Sequence, residues 1–271
     1  MLIETDPHIG VSTSRVFWAL MTGYFANLLV PRAGEVARCG VLKKTDQLPM
    51  GKLLGTVILE RTVDLLFLIS VILLAFIVEN RVFVTILSEL ISLESIVNLA
   101  YQYLPILIGA AIISGIFIYW VFQKYRDRGL IKKFRHFMRD FIKGLQSVGN
   151  LKNPMGFWFS SLMIWIIYFF MMYFVALAIP NTADLTPSSI LMVMVMGSIG
   201  MVAPVQGGIG TFHALVTFIL LYYGLKEEEG KIFAVIIHGT QLITTIVLGI
   251  ISLMVFAKII SKTETIISTL R

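Results

Sequence analysis

Residues 53–78 read LLGTVILERTVDLLFLISVILLAFIV, an apolar run that contains only three charged side chains, Glu60, Arg61 and Asp64. A helix rises about 1.5 Å per residue, so this run is long enough to cross the roughly 30 Å hydrocarbon layer of a bilayer. It lacks the regular alternation of polar and apolar residues that is typical of barrel strands. The run therefore predicts a membrane-spanning helix.

The composition of the whole chain extends this prediction. Hydrophobic residues make up 57% of the 271 residues, charged residues make up 14%, and the mean hydropathy is +0.87. In a soluble domain about a quarter of the residues are normally charged, so this composition excludes a soluble domain. We predict an all-α polytopic membrane protein, a helical bundle that forms a single integral membrane domain over residues 1–271.

Charge indicates the orientation of the chain and excludes some kinds of partner. The net charge is +6, but the basic residues collect in predicted cytoplasmic loops, as the positive-inside rule requires, so we expect no nucleic-acid partner. Residues 124–152 combine a basic face with apolar residues at helical spacing, which predicts a cytoplasmic amphipathic helix on the anionic leaflet. The alternative is a plain positive-inside anchor without lipid selectivity. Further spans are predicted over residues 103–122, 157–179 and 232–257.

Two apolar blocks are broken at their centres. Block 189–224 is interrupted around residues 204–210, and each half is too short to cross the membrane comfortably. Block 16–44 has a similar break around residues 31–35. We predict two re-entrant helical hairpins whose irregular tips lie at membrane depth. The predicted tip residues are Pro31 and Gly34 in the first hairpin, and Pro204, Gly207, Gly208 and Gly210 in the second.

The two hairpins enter from opposite sides of the membrane in this interpretation. That layout is an inverted repeat, which in many transporters places the substrate site where the two halves meet. The alternative for block 189–224 is a kinked span followed by a separate short span. Because two full spans precede the second hairpin and none precedes the first, we expect longer versions of this chain to carry two further N-terminal spans.

Polar residues inside the apolar blocks are the candidate functional residues. The charges of block 53–78 lie about 10–17 Å into the span, where ionised groups are costly and usually line a cavity or pair with each other. A purely structural ion pair is the alternative. In the second half the interior polar residues are Gln206, His213, His238 and Gln241. The histidine spacing does not suit a metal, and the sequence has neither a phosphate loop nor a dinucleotide fingerprint, so we expect no metal, no cofactor and no enzymatic activity.

These residues, taken in order, resemble the signatures of a known family. The first group comprises Gly23-Tyr24, Asn27, Pro31, Gly34-Glu35 and Arg38, the second Glu60-Arg61 with Asp64, and the third Pro204, Gly207-Gly208 and Gly210. The chain resembles the flippase-like membrane domain of lysylphosphatidylglycerol synthase. Two departures from the family pattern are expected to matter: residues 1–271 include no segment that resembles the soluble aminoacyl-transfer domain, so we expect a stand-alone membrane domain, and His213 stands where many members carry an acidic residue.

The resemblance implies a multi-pass protein of the plasma (inner) membrane that moves a polar lipid or lipid-linked substrate between leaflets. Its partners would be membrane lipids, anionic or aminoacylated phospholipids above all, together with a separate enzyme that supplies the lipid. The alternatives are a small-solute or ion-coupled secondary transporter and a non-transporting accessory protein. The substrate-binding candidates are Asn27, Arg32, Glu35, Arg38, Glu60, Arg61, Asp64, Gln206, His213, His238 and Gln241.

Overall fold

The computed structural model describes residues 11–90 and 153–269, together with single positions between these two ranges. Every regular element in that part of the chain is a helix, which confirms the predicted all-α class. The eight α-helices described are α1 (Thr13–Leu29), α2 (Gly34–Asp46), α3 (Met50–Val78), α4 (Asn80–Leu90), α5 (Pro154–Ala178), α6 (Pro187–Val202), α7 (Thr211–Tyr222) and α8 (Glu227–Thr269). Short 3-10 turns lie at Pro180–Thr182 and Gln206–Gly208.

The chain divides into two compact units. One comprises Met1–Val78 with Asp140–Arg271, and the other comprises Glu79–Arg139, of which α4 is the described helix. The predicted span 103–122 and the predicted amphipathic helix 124–152 fall outside the described residues, apart from single positions. All of the geometry below belongs to the first unit.

Three of the described helices are long and apolar enough to cross a membrane: α3, α5 and the Glu227–Ser261 part of α8. They overlap the predicted spans 53–78, 157–179 and 232–257. Helix α8 begins five residues earlier than predicted because the acidic side chains Glu227, Glu228 and Glu229 lie in its first turn, where they complement the positive end of the helix dipole. Helices α6 and α7 are also apolar, but they are shorter.

Local sequence signals set where several helices begin. Ser12 caps α1 by accepting a hydrogen bond from the Arg15 backbone N–H. Thr186 caps α6 in the same way, and Pro187 follows it at the first helical position, where a missing N–H costs nothing. Asn153 and Pro154 repeat this arrangement at the start of α5. The helix starts therefore follow from short-range side-chain chemistry.

One hydrophobic core cluster lies where α1, α2, α3 and the C-terminal part of α8 meet. Its buried side chains are Val11, Ala19, Cys39, Leu42, Leu48, Leu53, Val57 and Phe256. Nearby, the Thr22 and Ser252 hydroxyls share a buried hydrogen bond of 3.0 Å that joins α1 to α8. Cys39 is thus a buried packing residue, and burial in this core explains why a small thiol suits the position.

Helices α1 and α2 form the first hairpin, and α6 and α7 form the second. Helix α6 packs on α3, α5 and α7, and its buried residues are distributed around the helix, as expected for a helix that is apolar on all sides. Both hairpins are therefore built as helix-turn-helix units. Their re-entrant position and their inverted relation remain predictions.

Candidate functional site

The first hairpin is closed by two glycines and one asparagine. Gly34, the first residue of α2, lies directly against Gly23 of α1, since a Cβ atom on Gly34 would stand 2.3 Å from the Gly23 carbonyl oxygen. The Asn27 Oδ1 atom accepts the Gly34 backbone N–H at 2.6 Å. Because Ala33 offers no side-chain cap, Asn27 satisfies this N–H from the neighbouring helix. Asn27 therefore helps to hold the tip of the first hairpin closed.

The second hairpin turns on three glycines with left-handed backbone conformations. The φ angles are +57° at Gly207, +78° at Gly208 and +89° at Gly210. Side chains other than glycine adopt such angles at an energetic cost, which accounts for the Gly-rich break. The Thr211 hydroxyl at the start of α7 donates to the Gly200 carbonyl at 2.7 Å and so ties the two helices together below the turn.

The two tips contact each other. Arg32, a non-glycine residue with φ +63°, donates a hydrogen bond from its guanidinium group to the Val202 carbonyl at the end of α6. A cation at this position also complements the negative end of the helix dipole. The Gln206 side-chain amide donates to the Leu29 carbonyl at 3.5 Å. Sequence analysis placed both tips at a shared site, and the structure shows the hydrogen bonds that join them.

The charged residues of α3 form two ion pairs with different surroundings. Arg38 of α2 donates to Glu60 at 2.6 Å, and both side chains are mostly enclosed, with exposed fractions of 10% and 27%. Arg61 and Asp64 form a looser i,i+3 pair at 3.4 Å, with exposed fractions of 51% and 43%. The first pair fastens α2 to α3, whereas the second leaves both of its charges accessible.

The accessible pair lies half-way along α3. Asp64 is fourteen residues, roughly 21 Å of helix, from each end of Met50–Val78. Two tyrosines lie within electrostatic range of the pair, Tyr24 of α1 and Tyr168 of α5. We call Tyr24, Arg61, Asp64 and Tyr168 the mid-helix cluster. It places a cation, an anion and two phenols at the middle of α3, where an apolar helix would otherwise carry no polar group.

The remaining substrate-binding candidates lie outside the mid-helix cluster. Glu35 is half-buried in the first turn of α2, within electrostatic range of Cys39. His213 and His238 lie beneath the second tip, where the His238 Nε2 atom stands 2.8 Å from the Gly207 carbonyl oxygen. Gln241 is exposed on α8 and makes no hydrogen bond within the described part of the chain.

Sequence reasoning missed one member of the mid-helix cluster and gave another too little weight. Tyr24 belongs to the first signature but was not listed as a binding residue. Tyr168 lies in the aromatic run of α5 and carries no local signal that separates it from its neighbours. Only the packing of α5 against α3 reveals its position. Within the described residues, no group of three or more His, Cys, Asp or Glu side chains is arranged to hold a metal ion.

Comparison with protein families gives a match to the lysylphosphatidylglycerol synthase TM region over residues 5–249. The chain belongs to this family. No curated protein and no solved structure matched the chain. The suspected resemblance is thereby confirmed, and with it the assignment of this family member as a membrane domain with several membrane-spanning helices.

Proposed function

We propose that this protein moves the polar headgroup of a membrane lipid across the bilayer interior while the acyl chains stay in the hydrocarbon layer. The observation that carries the proposal is the mid-helix cluster, in which Arg61 and Asp64 remain about half exposed midway along an apolar helix. Ionised groups at such depth are expensive and usually serve transport. Family membership supports the proposal, because the family takes its name from a synthase of a charged phospholipid.

The chemistry of the cluster suits a charged headgroup. Arg61 provides a planar guanidinium group that can donate two parallel hydrogen bonds to a phosphate. Asp64 can accept from a headgroup amine, and the two phenols can donate to phosphate oxygens. Because the Arg61–Asp64 pair is loose and partly exposed, a headgroup can replace each partner in turn at small cost. An anionic or aminoacylated phospholipid fits both charges.

The enclosed Arg38–Glu60 pair has a different role in this proposal. It fastens the first hairpin to α3, so it positions the cluster instead of contacting the headgroup. The protein would act without covalent chemistry, in the plasma (inner) membrane, on lipid that a separate enzyme supplies.

The test is a flipping assay on the full chain in proteoliposomes. Phosphatidylglycerol with a fluorescent acyl chain serves as the probe, and a membrane-impermeant quencher reports how much of it reaches the outer leaflet. We expect faster exchange than in protein-free vesicles. We expect Arg61→Gln to slow it about tenfold or more, since a hydrogen bond to a charged group contributes about 1.5–3 kcal/mol.

A matched control comes from the exposed i,i+4 pair at the start of α8. Lys231 pairs with Glu227 there at the helix end, so Lys231→Gln removes a cation from an ion pair without touching the cluster. It should leave the exchange rate unchanged. Exchange no faster than in empty vesicles would reject the proposal. Release of entrapped glycerol phosphate, without lipid exchange, would favour a small-solute transporter instead.

A further inference from the structure

Two histidines lie together beneath the second hairpin tip. His238 of α8 is fully buried, and its ring centroid lies 4.9 Å from that of His213 on α7. The Phe212 ring covers it from another side, with centroids 5.0 Å apart. We call His213 and His238 the histidine pair. Through the contacts of these two side chains, α7, α8 and the second tip are joined to each other.

The hydrogen bonds of the pair show which ring nitrogens donate and accept. A carbonyl only accepts, so the 2.8 Å contact with Gly207 makes the His238 Nε2 atom a donor, and in the neutral ring Nδ1 is then the nitrogen without a hydrogen. That Nδ1 atom is buried and has no hydrogen-bond partner among the described residues. His213 accepts the Gly210 backbone N–H through its own Nδ1 atom at 3.4 Å, which places its hydrogen on Nε2. In this arrangement the His238 Nδ1 atom is the position at which an added proton would lie.

The unpartnered nitrogen needs an explanation, since buried polar atoms are normally hydrogen-bonded. A bare imidazole nitrogen is a proton acceptor, and histidine is the side chain whose ordinary titration range includes physiological pH. The His238 Nδ1 atom can therefore accept one proton, on the ring whose other nitrogen contacts the carbonyl of a tip glycine.

Few other charges can influence this position. From α7, His213 acts electrostatically on His238. The tip presents the Gly207 carbonyl, and α1 presents the apolar Leu28 against Gly207. Arg32 of the first tip is engaged by the Val202 carbonyl, and Tyr24 of α1 and Tyr168 of α5 lie near the charges of α3 instead. Elsewhere on α8 the described charged residues cluster toward its two ends.

We propose that the histidine pair binds one proton and that this proton loosens the second tip, so that headgroup movement depends on proton uptake. A proton on His238 Nδ1 would create a buried cation with an unsatisfied N–H beside a second imidazole. Water or a moving tip must then supply an acceptor, which weakens the closed contact between the tips. The proton comes from the aqueous phase and returns to it. This inference rests on the proposed function only for its link to lipid movement.

The experiment follows the tip directly in the full chain. Cys39→Ser removes the native thiol, and Val205→Cys places an environment-sensitive fluorophore on an exposed tip position. In proteoliposomes we expect the signal to change with a single midpoint between about pH 5 and 8. His238→Gln keeps a donor for the Gly207 carbonyl but cannot titrate, so the change should be lost. His136→Gln removes a different histidine and should preserve it.

A second measurement observes the histidine rings themselves. Nitrogen-15 NMR of protein labelled only at histidine reports the protonation of each ring nitrogen, and the His238 signal, identified by its loss in His238→Gln protein, should titrate in that pH range. A signal that stays flat in both measurements would overturn the inference, as would a tip response that survives in folded His238→Gln protein.

Lipid exchange measured in parallel separates this inference from the proposed function. A titrating tip in a protein that moves no lipid would reject the proposed function and support the proton site. Lipid exchange of equal rate at pH 5.5 and 8, with a flat tip signal, would reject the proton site and support the proposed function.

Discussion

Gly34→Ala tests the close contact that closes the first hairpin. The new Cβ atom would lie 2.3 Å from the Gly23 carbonyl oxygen and 2.5 Å from the Asn27 side-chain nitrogen. Non-bonded atoms do not approach a Cβ atom so closely. The Gly23 oxygen belongs to the backbone and cannot rotate away, so α1 and α2 must move apart. Overpacking of this kind costs about 1–3 kcal/mol. Loss of the Asn27 hydrogen bond adds about 1 kcal/mol.

Together these two costs predict a loss of stability of about 2–4 kcal/mol. Alanine has a higher helix propensity than glycine, but this gain offsets little of the loss at the first position of a helix. Gly40→Ala is the matched control in the same helix, since a Cβ there meets nothing within 4 Å. Equilibrium unfolding in detergent or bicelles should show a clear loss for Gly34→Ala and no loss for Gly40→Ala. Equal stability of the two variants would refute the packing argument.

Three further predictions concern the ion pair, the second tip and the topology. Arg38→Gln should destabilise the protein by about 3 kcal/mol, because the Glu60 charge is left enclosed and unpaired. Adding Glu60→Gln should restore part of that loss in the same unfolding assay. No recovery in the double variant would contradict the pairing. Gly208→Leu should abolish lipid exchange or folding, because φ is +78° and the side chain would meet Met201. Gly224→Leu is the matched control, since φ there is +83° and a Cβ meets nothing within 4 Å, and it should be milder; equal effects would show that the Met201 contact does not matter. A cysteine at position 47 in place of Gln47 should resist labelling from outside intact cells, and labelling there would overturn the predicted orientation.

Much of the framework is local and was therefore predictable from the sequence. Helix class follows from long apolar runs, and the second tip follows from Pro204 and its glycines, because positive φ angles are a property of single residues. The Arg61–Asp64 pair also follows from helical spacing alone. The pairing of Arg38 with Glu60 depends on two helices that meet, so the spacing within either helix does not predict it.

The parts that were missed depend on distant packing. The Arg32 contact with the Val202 carbonyl joins residues 170 positions apart, and its acceptor is a backbone group with no sequence signature. Tyr168 joins the mid-helix cluster only because α5 packs against α3. The length of α8 was underestimated because its acidic first turn was taken as a loop. A run of charged residues suggests a solvent-exposed loop, but acidic side chains also stabilise the first turn of a helix.

The most direct test of the central claim is a structure of the full chain in nanodiscs made from native lipid. Our account predicts headgroup density beside Arg61 and Asp64, with its phosphate near the Arg61 guanidinium and its acyl chains extending into the surrounding bilayer. The same density should be absent from Arg61→Gln protein that is otherwise folded. A closed aqueous path through the helices, or ordered lipid that leaves the mid-helix cluster empty, would contradict the account.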